Sequence, residues 1–88
     1  MIPKNITKGN ILEAIKYIDR FGVPSKRDST KYDLKYKGKN YPPKYVISIA
    51  NKCANGEELE STKFSGGRMT NKFLCCLGFD IYEDQVKL

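Results

Sequence analysis

The sequence predicts a single small α+β domain with the element order helix, β-hairpin, helix, helix and strand. Three observations predict it. Apolar residues recur at helical spacing in three segments, one segment alternates apolar and polar residues as a strand does, and glycine or proline separates these segments. With 88 residues and 40% hydrophobic content, the chain can bury one modest core. We expect residues 1–88 to form one module excised from, or appended to, a larger protein.

The first helix is predicted to begin after Thr7, whose hydroxyl can cap it, and to run to about Phe21. Its buried stripe is Ile11, Ala14, Ile15 and Ile18. Gly22 is a suitable terminator, and Pro24 prevents the helix from resuming. Residues 24–30 are therefore predicted to be a polar loop.

A β-hairpin is predicted next. Tyr32, Leu34 and Tyr36 alternate with polar residues, which is the period of a half-buried strand. Lys37 and Gly38 supply a tight turn, and residues 39–41 form a short return strand.

Pro42 and Pro43 end the hairpin and suit the first turn of a second helix. The apolar stripe of this helix is Val46, Ile49, Ala50 and Cys53. Asn55 and Gly56 end the helix, and an acidic loop follows at residues 57–60.

The last third of the chain is predicted to contain a helix and a strand. Phe64 anchors a loop into the core, and Thr70 caps a third helix that ends at Leu77. The inward-facing residues of this helix are Phe73, Leu74 and Leu77. After Gly78, residues 79–81 form a final strand, and residues 86–88 form a tail or linker.

The composition argues against several classes of function. The chain has no histidine, so no side chain titrates naturally near neutral pH as a general base, and a zinc site is improbable. Cys53, Cys75 and Cys76 make a poor disulfide framework and are expected to be reduced, small apolar residues. We therefore expect a domain that is not an enzyme by itself, with no metal and no cofactor. No apolar run could cross a membrane, and a cytoplasmic location is expected.

The positive charge is confined to the first half of the chain. Residues 1–44 hold 11 Lys and Arg against 4 Asp and Glu, whereas residues 45–88 hold 5 against 6. Such asymmetry favours an acidic partner such as nucleic acid, although a lysine-rich solvated surface would have the same composition.

The strongest candidate contact surface is a lysine and tyrosine cluster on and beside the hairpin. Its members are Lys35, Tyr36, Lys37, Lys39, Asn40, Tyr41 and Lys44. Lysines there can contact phosphates, and a tyrosine can stack on a base. Alternatively, the tyrosines pack in the core and the lysines are only solvated.

A second candidate lies at the start of the third helix and comprises Ser65, Gly66, Gly67, Arg68 and Asn71. Glycine-rich turns at helix N-termini expose N–H groups to a phosphate, and Arg68 can add a bidentate contact. The other reading is a loop that needs glycine for its backbone geometry alone. The segment matches neither the P-loop nor the dinucleotide-binding fingerprint.

Several segments in combination resemble a known module. They are residues 38–50 (GKNYPPKYVISIA), 54–59 (ANGEEL), 64–67 (FSGG), 70–71 and 77–79. The chain resembles an amino-terminal module found ahead of HNH-type endonucleases and other restriction-like proteins directed at modified DNA. The resemblance covers nearly the whole chain and implies a defence context, with the nuclease on a separate downstream domain.

Together these observations predict a non-catalytic DNA-binding or DNA-recognition accessory domain of a restriction-type nuclease. The alternative is a protein–protein interaction or interdomain scaffolding module that does not touch nucleic acid. Exposure of Tyr36, Tyr41 and Phe64 would favour the alternative, whereas their burial beneath lysines would favour DNA.

Overall fold

The structure, a computed structural model, describes residues 2–28, 31–64, 67–84 and 86–88. The helices are α1 (Lys8–Phe21), α2 (Pro43–Asn55) and α3 (Arg68–Cys76). The strands are β1 (Tyr32–Tyr36), β2 (Lys39–Tyr41), β3 (Asp80–Glu83) and β4 (Val86–Lys87). Short 3₁₀ turns occupy Ser25–Arg27 and Ser61–Lys63. The predicted α+β class is confirmed.

The strands form one antiparallel sheet in the order β2-β1-β3-β4. Leu34 of β1 lies opposite Tyr41 on one side and Ile81 on the other, and all three residues are buried. This row marks the face of the sheet that packs against the helices. Lys35 lies opposite Asn40 and Asp80 on the other, open face.

The local signals for α1 and for the hairpin are confirmed. The Thr7 hydroxyl accepts a hydrogen bond from the Asn10 amide at 3.2 Å, while Asn10 Oδ1 accepts from the Thr7 amide at 2.8 Å. Lys37 and Gly38 both have positive φ, 49° and 79°, as a tight hairpin turn requires.

A buried serine connects α2 to the segments on either side of it. Ser48 is 0% exposed, accepts a 2.6 Å hydrogen bond from Arg27 and donates a 2.7 Å bond to the Leu59 carbonyl. Because both neighbours come from loops, this one side chain holds the Ser25–Arg27 turn and the loop after α2 against the helix.

Three predictions about local structure were wrong. The third helix begins at Arg68 with Gly67 as its N-cap, so Thr70 lies inside the first turn and is 1% exposed. Residues 86–87 form β4, because they find a free edge of the sheet beside β3. Cys53 is exposed because burial along α2 ends at Asn51, and Cys75 and Cys76 on α3 are exposed as well.

Within the described residues, no helix is long and apolar enough to cross a membrane. The same part of the chain holds no group of three or more Cys, Asp or Glu side chains able to bind a metal ion.

Candidate nucleic-acid interface

A pocket of about 400 Å³ lies where β1 begins, β2 ends, and α2 and α3 start. We call it the basic pocket. Its charged lining residues are Lys26, Arg27, Asp28, Lys31 and Lys44. Its other lining residues are Tyr32, Pro42, Pro43, Ser61, Gly67, Thr70 and Asn71. Four cationic side chains therefore face one acidic side chain, so the pocket favours an anionic ligand.

Three of the cations reach the pocket on flexible lysine side chains. Lys44, on the first turn of α2, lies with Nζ 5.0 Å from the ring centre of Phe64. Lys31 Nζ is 3.4 Å from a carboxylate oxygen of Glu83, and a hydrogen bond to that carboxylate raises the pKa of Lys31. Lys26 is exposed. The Lys31 pair is on the surface and weak, so a phosphate can compete for the lysine.

Arg27 has a more structural position than the lysines. Its guanidinium donates to Ser48 and lies 5.1 Å from the ring centre of Tyr45. These contacts hold the Ser25–Arg27 turn in place and thereby keep Lys26 at the rim of the pocket.

Two helix N-termini meet at the basic pocket without capping side chains. The N-cap residues of α2 and α3 are Pro42 and Gly67, neither of which carries a side-chain acceptor. The first turns of both helices also lack acidic residues. Each uncapped N-terminus carries a partial positive charge of about half an elementary charge, which adds to the field of the lysines.

Gly67 is required at the mouth of the pocket for a conformational reason. Its φ of 70° and ψ of −131° lie in a region that side chains rarely adopt. A Cβ added there would lie 3.8 Å from Cε2 of Tyr32, so the tyrosine ring packs directly beside the glycine. The glycine thus lets the chain turn into α3 next to an aromatic wall.

Asn71 is the least usual polar group of the pocket. The residue is 6% exposed, and its Oδ1 is buried with no hydrogen-bond partner among the residues described. Buried side-chain acceptors are rarely left unpaired.

The predicted contact residues do not form one surface. The basic pocket brings together Lys44, Gly67 and Asn71, with Arg68 exposed at the start of α3. A separate groove against α1, here called the hairpin groove, includes Tyr36, Lys37, Lys39 and Tyr41. Lys35 and Asn40 lie on the open face of the sheet. Ser65 and Gly66 lie outside the described residues.

Several residues of the hairpin cluster have partners within the domain. Tyr41 is 4% exposed and its hydroxyl donates to Asp19 at 2.6 Å, so its ring is enclosed and cannot stack on a base. Burial, then Asp19, raises the pKa of Tyr41 to about 12. Lys39 Nζ lies 3.7 Å from the same carboxylate, and Lys35 Nζ lies 4.4 Å from the ring centre of Tyr82.

Sequence reasoning missed four of the pocket residues: Lys26, Arg27, Lys31 and Tyr32. Three of them are cations within six positions, residues 26–31, a segment interpreted only as a polar loop and its continuation. That local density of charge was the signal available. The sequence does not show that these cations lie close to Lys44 and to the start of α3, because only the tertiary fold brings them together.

A comparison with known protein families identifies the family of this chain. Residues 4–83 match the model of the ScoMcrA-like, N-terminal head domain family. The chain belongs to this family. No curated protein matches it by sequence. The resemblance to a restriction-associated amino-terminal module is therefore confirmed.

One solved structure resembles this fold, that of the Type IV phosphorothioation-dependent restriction endonuclease ScoMcrA. The TM-score is 0.66 and the sequence identity is 26% over 91% of this chain. The chain spans 13% of the length of that enzyme. It therefore corresponds to a head domain and not to the catalytic part of such an enzyme.

Proposed function

We propose that this domain is a non-catalytic DNA-binding accessory domain of a restriction endonuclease and that it contacts DNA through the basic pocket. The observation that carries the proposal is the meeting of Lys26, Lys31 and Lys44 with the two uncapped N-termini of α2 and α3. Helix N-termini and lysines are both suited to phosphate groups.

The burial of the aromatic side chains also supports DNA over a protein partner. Tyr41 and Phe64 are 4% and 6% exposed, and Tyr36 is only partly exposed and packs against the core. Of the lysines nearest to them, Lys37 and Lys39 are exposed, Lys39 at 66% for its side chain, and Lys44 is half-buried. This is the arrangement expected of a phosphate-binding surface over a closed core.

The hairpin lysines provide a second candidate contact. Lys37 follows Tyr32 by five strand positions, which separates the hairpin tip from the basic pocket by about 16 Å. These lysines would then lie near the same duplex and add to its long-range attraction, with fewer direct phosphate contacts than the pocket lysines make. The pocket is preferred as the primary contact because two helix N-termini without capping side chains add their field to that of its lysines.

The parent protein in this proposal carries its nuclease on another domain, downstream of the head. This placement is supported by the family of the chain and by the small share of the ScoMcrA enzyme that the chain spans. The head domain would contribute affinity and orientation on DNA, while cleavage takes place elsewhere.

The test is titration of duplex DNA with the chain at two salt concentrations. Each neutralised phosphate releases counterion, so we expect binding that weakens steeply as salt rises. Undetectable binding at low salt would refute the proposal.

A docking role is the second candidate function, and one observation favours it. An apolar patch lies on the other side of α3 and is formed by Ile2, Met69, Phe73 and Cys76, flanked by Lys4 and Lys72. Met69 is 47% exposed and forms a patch with these apolar neighbours, which is more informative than a single exposed apolar side chain. This surface suits another domain of the parent protein.

The two roles are separable because their surfaces lie on different sides of α3. Replacing Met69 with Ser should leave DNA affinity unchanged if the basic pocket is the interface. A large loss of DNA affinity in Met69→Ser would assign the contact to the apolar patch instead.

A further inference from the structure

Asn71 is the feature of the basic pocket that a phosphate does not explain. Its Oδ1 is buried and has no hydrogen-bond donor in the described part of the chain, and the residue lines the pocket. A phosphodiester carries only acceptors and cannot pair with this oxygen. The position is therefore suited to a ligand that brings an N–H group together with its negative charge.

Apart from Ser61 and Thr70, the remaining wall of the pocket consists of an aromatic ring, two prolines and a glycine. Tyr32 lies beside Gly67, and Pro42 and Pro43 are both buried at the start of α2. Aromatic rings are the usual platform for an unstacked base, since every base has a π-face. The pocket volume of about 400 Å³ falls within the range of small-ligand sites.

We infer that the basic pocket holds a single unpaired nucleotide of a DNA chain. Its phosphates lie on Lys26, Lys31 and Lys44, its base lies against Tyr32, and its base edge is read by Asn71. This inference rests on the proposed DNA-binding function and specifies the ligand of the same pocket.

Adenine fits the amide of Asn71 best. The 6-amino group of adenine donates to an asparagine oxygen while an adjacent ring nitrogen accepts from the amide nitrogen. The terminal torsion of asparagine has a broad energy profile, and binding of the base requires a rotation about it that presents the buried amide to the base. No donor from the described residues reaches this oxygen in the free protein, and this favours the bound arrangement.

The experiment compares three duplexes of equal length at one moderate salt concentration. One is fully paired, one has a single bulged adenine, and one has a bulged purine, which is adenine without its 6-amino group. We expect the adenine bulge to bind at least about fivefold more tightly than the purine bulge, as one good amide–base pair provides.

The variant Asn71→Leu removes the amide and keeps a side chain of similar size. It should bind the adenine and purine bulges equally, with an unchanged or raised melting temperature, because it removes a buried unpaired acceptor. If Asn71→Leu does not fold, the adenine–purine ratio of the wild-type chain still decides the matter.

The failure of this inference and the failure of the proposed function give different results. If none of the three duplexes binds, DNA binding itself is refuted and the nucleotide pocket with it. If all three bind alike, DNA binding stands and the nucleotide pocket is overturned. Discrimination that persists in Asn71→Leu would overturn the role of Asn71.

Discussion

The proposed interface makes a quantitative prediction about two sets of lysines that sequence alone could not rank. One variant replaces Lys26, Lys31 and Lys44 of the basic pocket with Gln. A matched control replaces Lys35, Lys37 and Lys39 of the hairpin with Gln. Each variant loses three of the net +6 charges and carries +3, so the long-range attraction to DNA falls equally in both.

The expected difference follows from counterion release. Each lost phosphate contact lowers the slope of log affinity against log salt by about 0.9, so three lost contacts lower it by about 2.7. When salt rises from about 50 to 200 mM, both proteins lose affinity for DNA. The factor by which affinity falls should be about 40 times smaller for the pocket variant than for the wild-type chain. The hairpin variant should retain most of the wild-type slope.

The assay is fluorescence anisotropy with a labelled duplex at several salt concentrations, after circular dichroism has shown that both variants are folded. Equal slopes in the two variants would show that binding senses bulk charge and not a site. A larger loss in the hairpin variant would move the interface to the hairpin and refute the reasoning from the pocket.

Three further predictions concern side chains and backbone positions that stabilise the hairpin and the basic pocket. The wild-type chain should lose stability as the pH rises above 10, and Tyr41→Phe should not show this loss. The folded pKa of Tyr41 is about 12 against 10.0 in the unfolded chain, so its contribution is complete below pH 10 and lost between pH 10 and 12. That contribution is on the order of 1–2 kcal/mol after allowance for the 40% exposure of Asp19. Urea unfolding of both proteins at pH 9 and 11 should show about half of it, because pH 11 is midway through the interval. Ser48→Ala leaves Arg27 without its buried acceptor and should lower the free energy of unfolding by about 1–3 kcal/mol, whereas an unchanged urea midpoint would show that the bond contributes nothing. Gly67→Ala forces a side chain into a positive-φ conformation and should lower the unfolding free energy by about 1–3 kcal/mol, and a melting temperature equal to wild type would contradict that strain.

Local signals carried most of the fold prediction. The cap at Thr7, the turn at Lys37 and Gly38, and the prolines at the start of α2 each act on neighbours within a few residues, so the sequence displays them directly. The start of α3 was misplaced because Gly67 serves as N-cap without any side chain to signal it.

The candidate site was harder to predict because it depends on residues distant in sequence. Lys44, Gly67 and Asn71 were identified from local patterns, yet their proximity to Lys26 and Lys31 depends on how β1 and the helix starts meet. Sequence alternation placed Tyr41 beside the lysines, but only packing against Asp19 shows that its ring is enclosed.

The central claim is that the DNA interface is the basic pocket, and amide chemical-shift mapping tests it most directly. Labelled chain would be titrated with duplex DNA at low salt and followed residue by residue. The account predicts that the largest shifts occur at Lys26, Lys31, Lys44 and the first turn of α3, and that they diminish as salt rises. Shifts centred on the hairpin groove or on the apolar patch would contradict it, as would no shifts at low salt.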